Sequence, residues 1–268
     1  MTEIIKPPTP LPEAGKVYQE IIKPNNAVAV VGPAYSLFKD PGLLLASFLV
    51  RSEGKLYVVD PVSRENQRDY DQLSEGVGGI VTGIGNIDHY LEEISSLRGL
   101  GAPLKNPEWL GTDSGAQNIA LPDDSLDVII DHNTSVFLAG KPDTSALPER
   151  RAELEKIYRE YQRVLRVGGK LLLQTDNIRY GLQGDTPQKG LINEVLKDLG
   201  FQASDIEVKD TITIPISGDF YKAVAESHRD DGILWYLSLR LSEKNGAHML
   251  TFEKPDHYSP NFYIATKI

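Results

Sequence analysis

Short apolar segments alternate with helical segments along this chain, and that order restricts the fold more than any other feature. The apolar segments have the length of buried strands and lie at 27–32, 55–60, 125–133 and 170–176. The clearest helical pattern, 148–169, carries apolar residues at helical spacing and closes near Gly168. Alternating strands and helices predict an α/β fold with a mostly parallel, doubly wound sheet and helices on both faces.

The length and composition fit one large domain. The chain has 268 residues, of which 40% are hydrophobic, and this is enough to bury a substantial core. The sequence predicts an N-terminal extension with a helix at 1–24, followed by a single domain at 25–268. Insertions are expected at about 87–116 and 217–258. Two late strands are expected at 206–216 and 261–268.

Charge and residue usage exclude several functions. The formal net charge is -10, which disfavours nucleic acid as the main partner because an acidic surface repels phosphates. There is no cysteine, so disulfides, thiolate metal sites and cysteine nucleophiles are excluded. The histidines show no metal-ligand spacing, and we expect no metal site. No apolar stretch approaches the roughly 20 residues that span a bilayer, and no secretory signal is visible, so a cytoplasmic location is expected.

Ligand-binding side chains are expected just after the strands, because open parallel sheets bind ligands at the carboxyl ends of their strands. After the first strand, small residues at alternate positions, Gly32, Ala34 and Ser36, let a ligand approach the backbone. Pro33 removes one amide from this loop, which argues against a pyrophosphate ligand. Asp60 ends the second strand, where a carboxylate can accept hydrogen bonds from ribose hydroxyls. The alternatives are an ordinary strand-to-helix turn and a solvated turn aspartate.

Two further blocks carry a specific resemblance. The first opens the strand at 125–133, and its matching residues are Leu121, Pro122, Asp124, Ser125, Leu126 and Asp127. The second joins the clearest helix to the next strand, and its matching residues are Glu160, Arg163, Val164, Leu165, Arg166, Gly168 and Gly169. With Gly32 and Asp60 in the expected order, the chain resembles class I S-adenosylmethionine-dependent methyltransferases over roughly residues 25–200. The resemblance is greatest to their small-molecule branch.

The resemblance implies a Rossmann-like fold whose seven-stranded sheet is mostly parallel and has an antiparallel C-terminal strand. It also implies S-adenosyl-L-methionine as the cofactor and a small molecule as the methyl acceptor. Gly32, Ala34 and Ser36 would lie under the methionyl part of the cofactor, and the Tyr35 hydroxyl would contact its amine. Asp60 would hold the ribose.

The sequence departs from the family at three points. Val30 and Val31 stand where many members have an acidic residue, and the loop after them lacks the repeated glycines. These departures leave the cofactor affinity and the contacts to its amino-acid part open. The acidic residue that often precedes the first block is also absent. Gln117 and Asn118 stand at the corresponding distance and would face the adenine, with 85–86 as the alternative end of the third strand.

The residues at the end of the strand at 125–133 are Asp131, His132 and Asn133, and the resemblance implies that they face the sulfonium methyl and the acceptor. Methyl transfer is an in-line displacement in which the protein mainly positions the reactants. His132 has the ordinary pKa range for removing a proton from an oxygen or nitrogen acceptor. Asp131 would orient the histidine or contact the cofactor amine. The alternative for His132 is a backbone hydrogen bond at the strand end.

Two other functions remain open at this point. A nicotinamide-dependent oxidoreductase shares the acidic residue after the second strand, although Pro33 and the second block count against it. A non-catalytic scaffold or regulatory protein that binds the cofactor would explain the unusual loop. The sequence fixes neither the acceptor nor the oligomeric state, and a homodimer is compatible with it.

Overall fold

A computed structural model defines the fold. It describes residues 14–32, 41–60, 104–111, 113–132, 134–139, 147–175, 187–207, 211–216, 218–219, 222, 238–244, 246–253 and 261–268. Among these residues the helices are α1 (Ala14–Ile21), α2 (Pro41–Leu49), α3 (Thr134–Leu138), α4 (Leu147–Val164) and α5 (Pro187–Asp198). None of these described helices is long and apolar enough to cross a membrane.

Seven strands form the main sheet. They are β1 (Ala27–Val31), β2 (Lys55–Val59), β3 (Glu108–Trp109), β4 (Leu126–His132), β5 (Leu165–Thr175), β6 (Phe201–Glu207) and β10 (Asn261–Lys267). Their order is β3-β2-β1-β4-β5-β10-β6. Strand β10 runs antiparallel to both of its neighbours, and the other paired strands are parallel. The predicted α/β fold with an antiparallel C-terminal strand is confirmed.

Helices cover both faces of this sheet. Successive side chains of a strand point to opposite faces, so Val28 packs on the side of α1 and α2, whereas Ala29 packs on the side of α4 and α5. On the first face, Tyr18 of α1 meets Phe262 of β10 with the ring centroids 5.6 Å apart. Burial on both faces explains why the central strands are continuously apolar in sequence.

The join between α4 and β5 differs from the prediction. The helix was expected to continue to 169, but α4 ends at Val164 and the next residue already belongs to β5. The amides of Asp124 and Ser125 donate to the last carbonyls of α4 at 3.0 and 2.8 Å, so the approach to β4 caps the helix. Gly168 has a φ of +78° and lies where the register of β5 against β4 shifts. The motif glycine therefore belongs to a bulge in the strand, and not to the helix end.

A second sheet follows the first in the chain. Strands β7 (Thr211–Ile216), β8 (Ser238–Lys244) and β9 (Ala247–Glu253) pair antiparallel in the order β7-β9-β8. The prediction of one strand at 206–216 is wrong, because β6 and β7 belong to different sheets. Strands β8 and β9 lie within the insertion expected at 217–258, and β7 contacts α1.

The third strand of the main sheet lies between the two positions that the sequence offers for its end, 85–86 and Gln117. Strand β3 pairs with β2 from inside 87–116, the segment that the sequence assigned to an insertion. This segment therefore contributes an edge strand to the sheet. The weak strand pattern at 77–86 lies outside the described residues.

Candidate functional site

The carboxyl ends of β1, β2 and β4 lie at one level. Val31 of β1 pairs with Val59 of β2 on one side and with Asp131 of β4 on the other. The residues one step beyond this row are Gly32, Asp60 and His132. Three positions predicted from strand ends thus share one edge of the sheet. Ala34, Tyr35, Ser36 and Asn133 lie outside the described residues, as does the side chain of His132.

Gly32 stands where the chain leaves β1. Its φ is +59°, a left-handed conformation that glycine adopts without steric strain. Its amide donates to the carbonyl of Val59 at 2.9 Å. A Cβ on Gly32 would overlap the hydroxyl of Thr134, which itself donates to the carbonyl of Val31 at 3.0 Å. Glycine is therefore required at this position by the packing of α3 against the end of β1.

Asp131 joins the start of α3 to α4. The residue is 1% exposed, and its Oδ1 accepts a hydrogen bond from the amide of Thr134 at 2.7 Å. Its Oδ2 accepts from the amide of Ser135 at 3.1 Å and from the hydroxyl of Tyr161 at 3.0 Å. The hydroxyls of Ser135 and Tyr158 are 3.2 Å apart. Both carboxylate oxygens are thus engaged by protein donors, and Asp131 fixes the backbone on either side of His132.

Burial determines the protonation of this cluster. It raises the pKa of Asp131 above its ordinary value, and the hydrogen bonds from Ser135, Tyr161 and Thr134 offset that effect only in part. Burial and the neighbouring carboxyl group of Asp131 also raise the pKa of Tyr161 and of Tyr158. Both phenols therefore keep their protons and remain hydrogen-bond donors.

Asp131→Asn is expected to change how stability depends on pH. Because folding raises the pKa of Asp131, the native state holds this proton more tightly than the unfolded chain does. The resulting stabilisation is fully present below the unfolded pKa, about 3.9, and is lost as the pH rises through the folded pKa. The variant lacks this titration, so its free energy of unfolding, taken relative to wild type, should increase as the pH rises through that window.

Urea unfolding at a series of pH values measures this difference. Asp113→Asn, at an exposed position, is the matched control. If the difference in free energy of unfolding between Asp131→Asn and wild type stays constant with pH, folding does not raise the pKa of Asp131.

Asp60 closes β2 beside the edge strand β3. The residue is 8% exposed, and its backbone carbonyl accepts a hydrogen bond from the indole of Trp109 at 2.7 Å. The amide of Leu110 donates to the carbonyl of Val58 at 3.1 Å. These two contacts hold β3 against the end of β2 and fix the backbone of Asp60.

Gln117 and Asn118 lie in a tight turn that follows β3. The amides of Gly115 and Asn118 each donate to the other's carbonyl at 3.0 Å. The side-chain amide of Asn118 donates to the carbonyl of Asp113 at 3.2 Å. Asn118 is exposed and Gln117 is partly exposed, so both are accessible from solvent. The alternative position at 85–86 lies outside the described residues.

Two residues of α4 hold the chain that leads from this turn into β4. The carboxylate of Glu160 accepts a hydrogen bond from the amide of Ile119 at 2.7 Å. The guanidinium of Arg163 donates to the carbonyls of Ile119 and Leu121 at 2.8 and 2.9 Å. It also donates to the carboxylates of Glu160 and Asp123, both at 2.6 Å. This arrangement, hereafter the Glu160–Arg163 clamp, joins the two sequence blocks that carry the methyltransferase resemblance.

The pKa shifts of Glu160 and Arg163 favour the charged form of both residues in the clamp. Burial raises the pKa of Glu160, but the hydrogen bonds from Arg163 and from the amide of Ile119 outweigh this effect and leave the pKa below its ordinary value. The hydrogen bonds to Glu160 and Asp123 raise the pKa of Arg163. The pair is therefore charged over the whole neutral pH range.

Sequence reasoning missed several residues that shape this edge. Thr134 and Ser135 had a local signal, since an aspartate a few residues before a helix start is a common capping arrangement. Tyr161 and Tyr158 were recognised only as members of the apolar face of a helix. Trp109 had no signal, because a two-residue edge strand leaves no pattern in sequence.

The chain was compared with protein-family models, curated proteins and solved structures. No protein-family model matches the sequence, and no curated protein matches it. The YcgJ protein from Bacillus subtilis is 14% identical with a TM-score of 0.45, over 94% of this chain and 97% of that chain. A SAM-dependent methyltransferase from Aquifex aeolicus is 18% identical with a TM-score of 0.47, over 94% and 88%. A SAM-dependent O-methyltransferase from Thermotoga maritima is 11% identical with a TM-score of 0.46, over 94% and 63%.

Likenesses at this level carry no argument about this chain, and the fold follows from the strands themselves. The main sheet itself has the features that the sequence resemblance implies, namely seven strands, parallel pairing in the centre and an antiparallel C-terminal strand. The fold expected of a class I S-adenosylmethionine-dependent methyltransferase is thereby confirmed.

The described residues fit an adenosine-containing cofactor through their donor and acceptor groups. Asp60 offers a carboxylate acceptor at the end of β2, and Gln117 and Asn118 offer amides that can pair with an adenine edge. At Gly32 the space that a Cβ would occupy is filled by Thr134, so a cofactor would meet the backbone of Gly32 from another direction.

Proposed function

We propose that this chain transfers a methyl group from S-adenosyl-L-methionine to a small-molecule acceptor. One observation carries the proposal: Gly32, Asp60 and His132 lie side by side at the carboxyl edge of the expected seven-stranded, mostly parallel sheet. Ligands of open α/β sheets bind at this edge. The Glu160–Arg163 clamp supports the proposal, because it gives the recognised sequence blocks a common structural role at the approach to β4.

Each part of the cofactor has proposed partners in the chain. Asp60 accepts hydrogen bonds from the ribose hydroxyls, and Gln117 and Asn118 contact the adenine. The loop residues Ala34, Tyr35 and Ser36 contact the methionyl part together with the backbone of Gly32. When bound, the cofactor supplies a methyl group activated by a sulfonium.

The chain's own residues position the acceptor and remove its proton. His132 is the proposed general base for an oxygen or nitrogen acceptor, since its ordinary pKa lies near neutrality. Asp131 enters as a positioning residue, because its carboxylate is engaged by Thr134, Ser135 and Tyr161. The contribution of Asn133 at the same strand end stays a prediction.

The proposed acceptor is a small molecule and not a nucleic acid. The net charge of -10 opposes the approach of a polyphosphate backbone. We propose that the reaction takes place in the cytoplasm, without membrane contact.

Two substitutions separate cofactor binding from turnover. Asp60→Asn is expected to weaken S-adenosylmethionine binding about tenfold, which corresponds to one hydrogen bond to a charged acceptor. His132→Gln is expected to lower turnover while leaving cofactor affinity unchanged. Calorimetric titration with S-adenosylmethionine and with NAD, followed by transfer of a labelled methyl group to candidate acceptors, measures both quantities.

Glu53→Gln, at an exposed position before β2, is the control and should behave as wild type. Binding of NAD in place of S-adenosylmethionine would favour an oxidoreductase. Cofactor binding that survives without any methyl transfer would favour a scaffold role. Full activity in both variants would refute the proposed site.

A further inference from the structure

Helix α4 extends beyond the carboxyl edge of the sheet. It has 18 residues, and its last carbonyls are capped by the chain entering β4, so its C-terminal end lies at the opposite edge. Tyr158 lies at the level of α3, because its hydroxyl is 3.2 Å from that of Ser135. Arg150 precedes Tyr158 by eight residues, which is about 12 Å along a helix axis. The first turns of α4 therefore stand beyond the carboxyl ends of the strands.

Arg150 is a buried cation in these first turns. It is 4% exposed and shares the inward face of α4 with Leu154 and Tyr158. Its Nε and Nη1 atoms are buried and have no hydrogen-bond partner among the described residues. Burial lowers the pKa of its guanidinium, but arginine stays charged at neutral pH. A buried charge without a counter-ion strongly destabilises a protein.

Two other arginines of the same helix, Arg151 and Arg163, are paired with carboxylates. Arg151 forms ion pairs with Glu155, Glu194 and Asp198. Arg163 is held in the Glu160–Arg163 clamp. Arg150 therefore differs from its neighbours in both burial and lack of a partner.

The geometry of the helix start favours an anion beside Arg150. Helical side chains tilt towards the N-terminus, so the guanidinium of Arg150 extends towards the first turn of α4. Pro148 has no amide proton, but the amides of Leu147, Glu149 and Arg150 in that turn have no partner within the helix. The helix dipole adds partial positive charge there. Glu149, the acidic residue of the first turn, is exposed and does not share the inward face.

We propose that Arg150 and the first-turn amides of α4 bind a carboxylate or phosphate group of the methyl acceptor. The identification of the ligand as the acceptor rests on the proposed function, whereas the anion site itself does not. A guanidinium presents two parallel N–H groups that match either anion in a bidentate pair. The acceptor is therefore an anionic small molecule, anchored by its charged group beyond the strand ends while its reacting atom lies near His132.

The anion site is tested first with inorganic phosphate, which requires no methyl transfer. Phosphate at about ten times its dissociation constant should raise the melting temperature of wild type by about 3 °C. Arg150→Met should abolish this shift and should melt no lower than wild type without phosphate, because it removes an unpaired buried charge. Arg150→Lys, which keeps the charge but loses the planar fork, should retain only part of the shift.

Arg159→Met, at an exposed position of the same helix, is the matched control and should keep the full shift. It also corrects for the general stabilisation of proteins by phosphate. Equal shifts in wild type, Arg150→Met and Arg150→Lys would overturn the anion site. So would a marked loss of stability in Arg150→Met without phosphate, since this would mean that a protein group pairs with Arg150.

Calorimetry then identifies the source of the anion. S-adenosylmethionine should bind Arg150→Met as tightly as wild type, and methyl transfer to carboxylate-bearing acceptors should show a higher KM in the variant. A loss of S-adenosylmethionine affinity in Arg150→Met would overturn the assignment to the acceptor, because the carboxylate of the cofactor would then be the ligand. If wild type binds phosphate through Arg150 but does not bind S-adenosylmethionine, the anion site stands and the proposed function fails.

Discussion

Gly32→Ala should lower the free energy of unfolding by about 3 kcal/mol, the sum of a left-handed backbone penalty and a steric overlap. Gly32 has a φ of +59°, where an alanine is strained in any surroundings. The added Cβ would also overlap the Thr134 hydroxyl, which is fixed by its hydrogen bond to Val31. The overlap with Thr134 is removed only if α3 moves away from β1. That movement would displace the backbone beside Asp131 and His132. Cofactor binding should therefore fall together with stability.

Gly168→Ala separates the two contributions. Gly168 has a φ of +78°, but a Cβ there would meet nothing within 4 Å. Gly168→Ala should therefore lower the free energy of unfolding only by the left-handed backbone penalty, about 1–2 kcal/mol. Urea unfolding of both variants measures the difference, and Thr134→Ala in the Gly32→Ala background should recover part of the loss. If Gly32→Ala is no less stable than Gly168→Ala, Thr134 does not press on this position.

The central strands could be predicted from sequence because their signal is local. The buried residues 28–31 of β1, 58–59 of β2 and 128–130 of β4 form continuous apolar runs, which can be recognised without knowledge of the partner strands. The ends of these runs also gave Gly32, Asp60 and Asp131 as candidate positions. The registers then place these ends beside one another.

Elements that depend on distant pairing could not be predicted in the same way. The end of α4 was placed too late, because the segment around Gly168 continues a helical pattern but pairs with β4. The segment 206–216 has the sequence pattern of one strand, because its division between two sheets is decided by pairing with β10 and β9. Tertiary pairing overrides local preference in both cases.

The surroundings of the candidate site were beyond sequence reasoning for a similar reason. Thr134 bonds to Val31 across 103 positions of the chain, and Tyr161 bonds to Asp131 across 30. A single sequence contains no signal for such contacts. The hydrogen bonds that Thr134, Ser135 and Tyr161 donate to the Asp131 carboxylate could therefore not be predicted.

The recognised sequence blocks have a structural basis. Glu160 and Arg163 contact backbone groups of Ile119 and Leu121, so the side chains that identify the family pattern hold the entry to β4 in place. They lie on the part of α4 opposite its first turns, away from the proposed acceptor site. A resemblance carried by such residues indicates the fold more directly than it indicates the substrate.

Arg163→Met should therefore destabilise the protein by about 2–3 kcal/mol, because it breaks charge-assisted hydrogen bonds and leaves partly buried acceptors unpaired. The carboxylate of Glu160 is 13% exposed and would lose its counter-charge. The carbonyls of Ile119 and Leu121 would lose their donors. The turn that carries Gln117 and Asn118 should loosen as a result, and amide hydrogen exchange across 115–121 should become faster.

Arg166→Met is the matched control within the same sequence block. Arg166 also forms an ion pair, with Asp127, but its side chain is 60% exposed, so the variant should lose less than about 1 kcal/mol. Arg163→Met should also change how stability responds to acid. Because folding lowers the pKa of Glu160, the stabilisation from the clamp is present above the unfolded pKa, about 4.3, and is lost as the pH falls through the folded pKa. The difference in free energy of unfolding between wild type and Arg163→Met should therefore become smaller in acid. A difference that stays constant from pH 7 to below the folded pKa would show that Arg163 does not lower the pKa of Glu160.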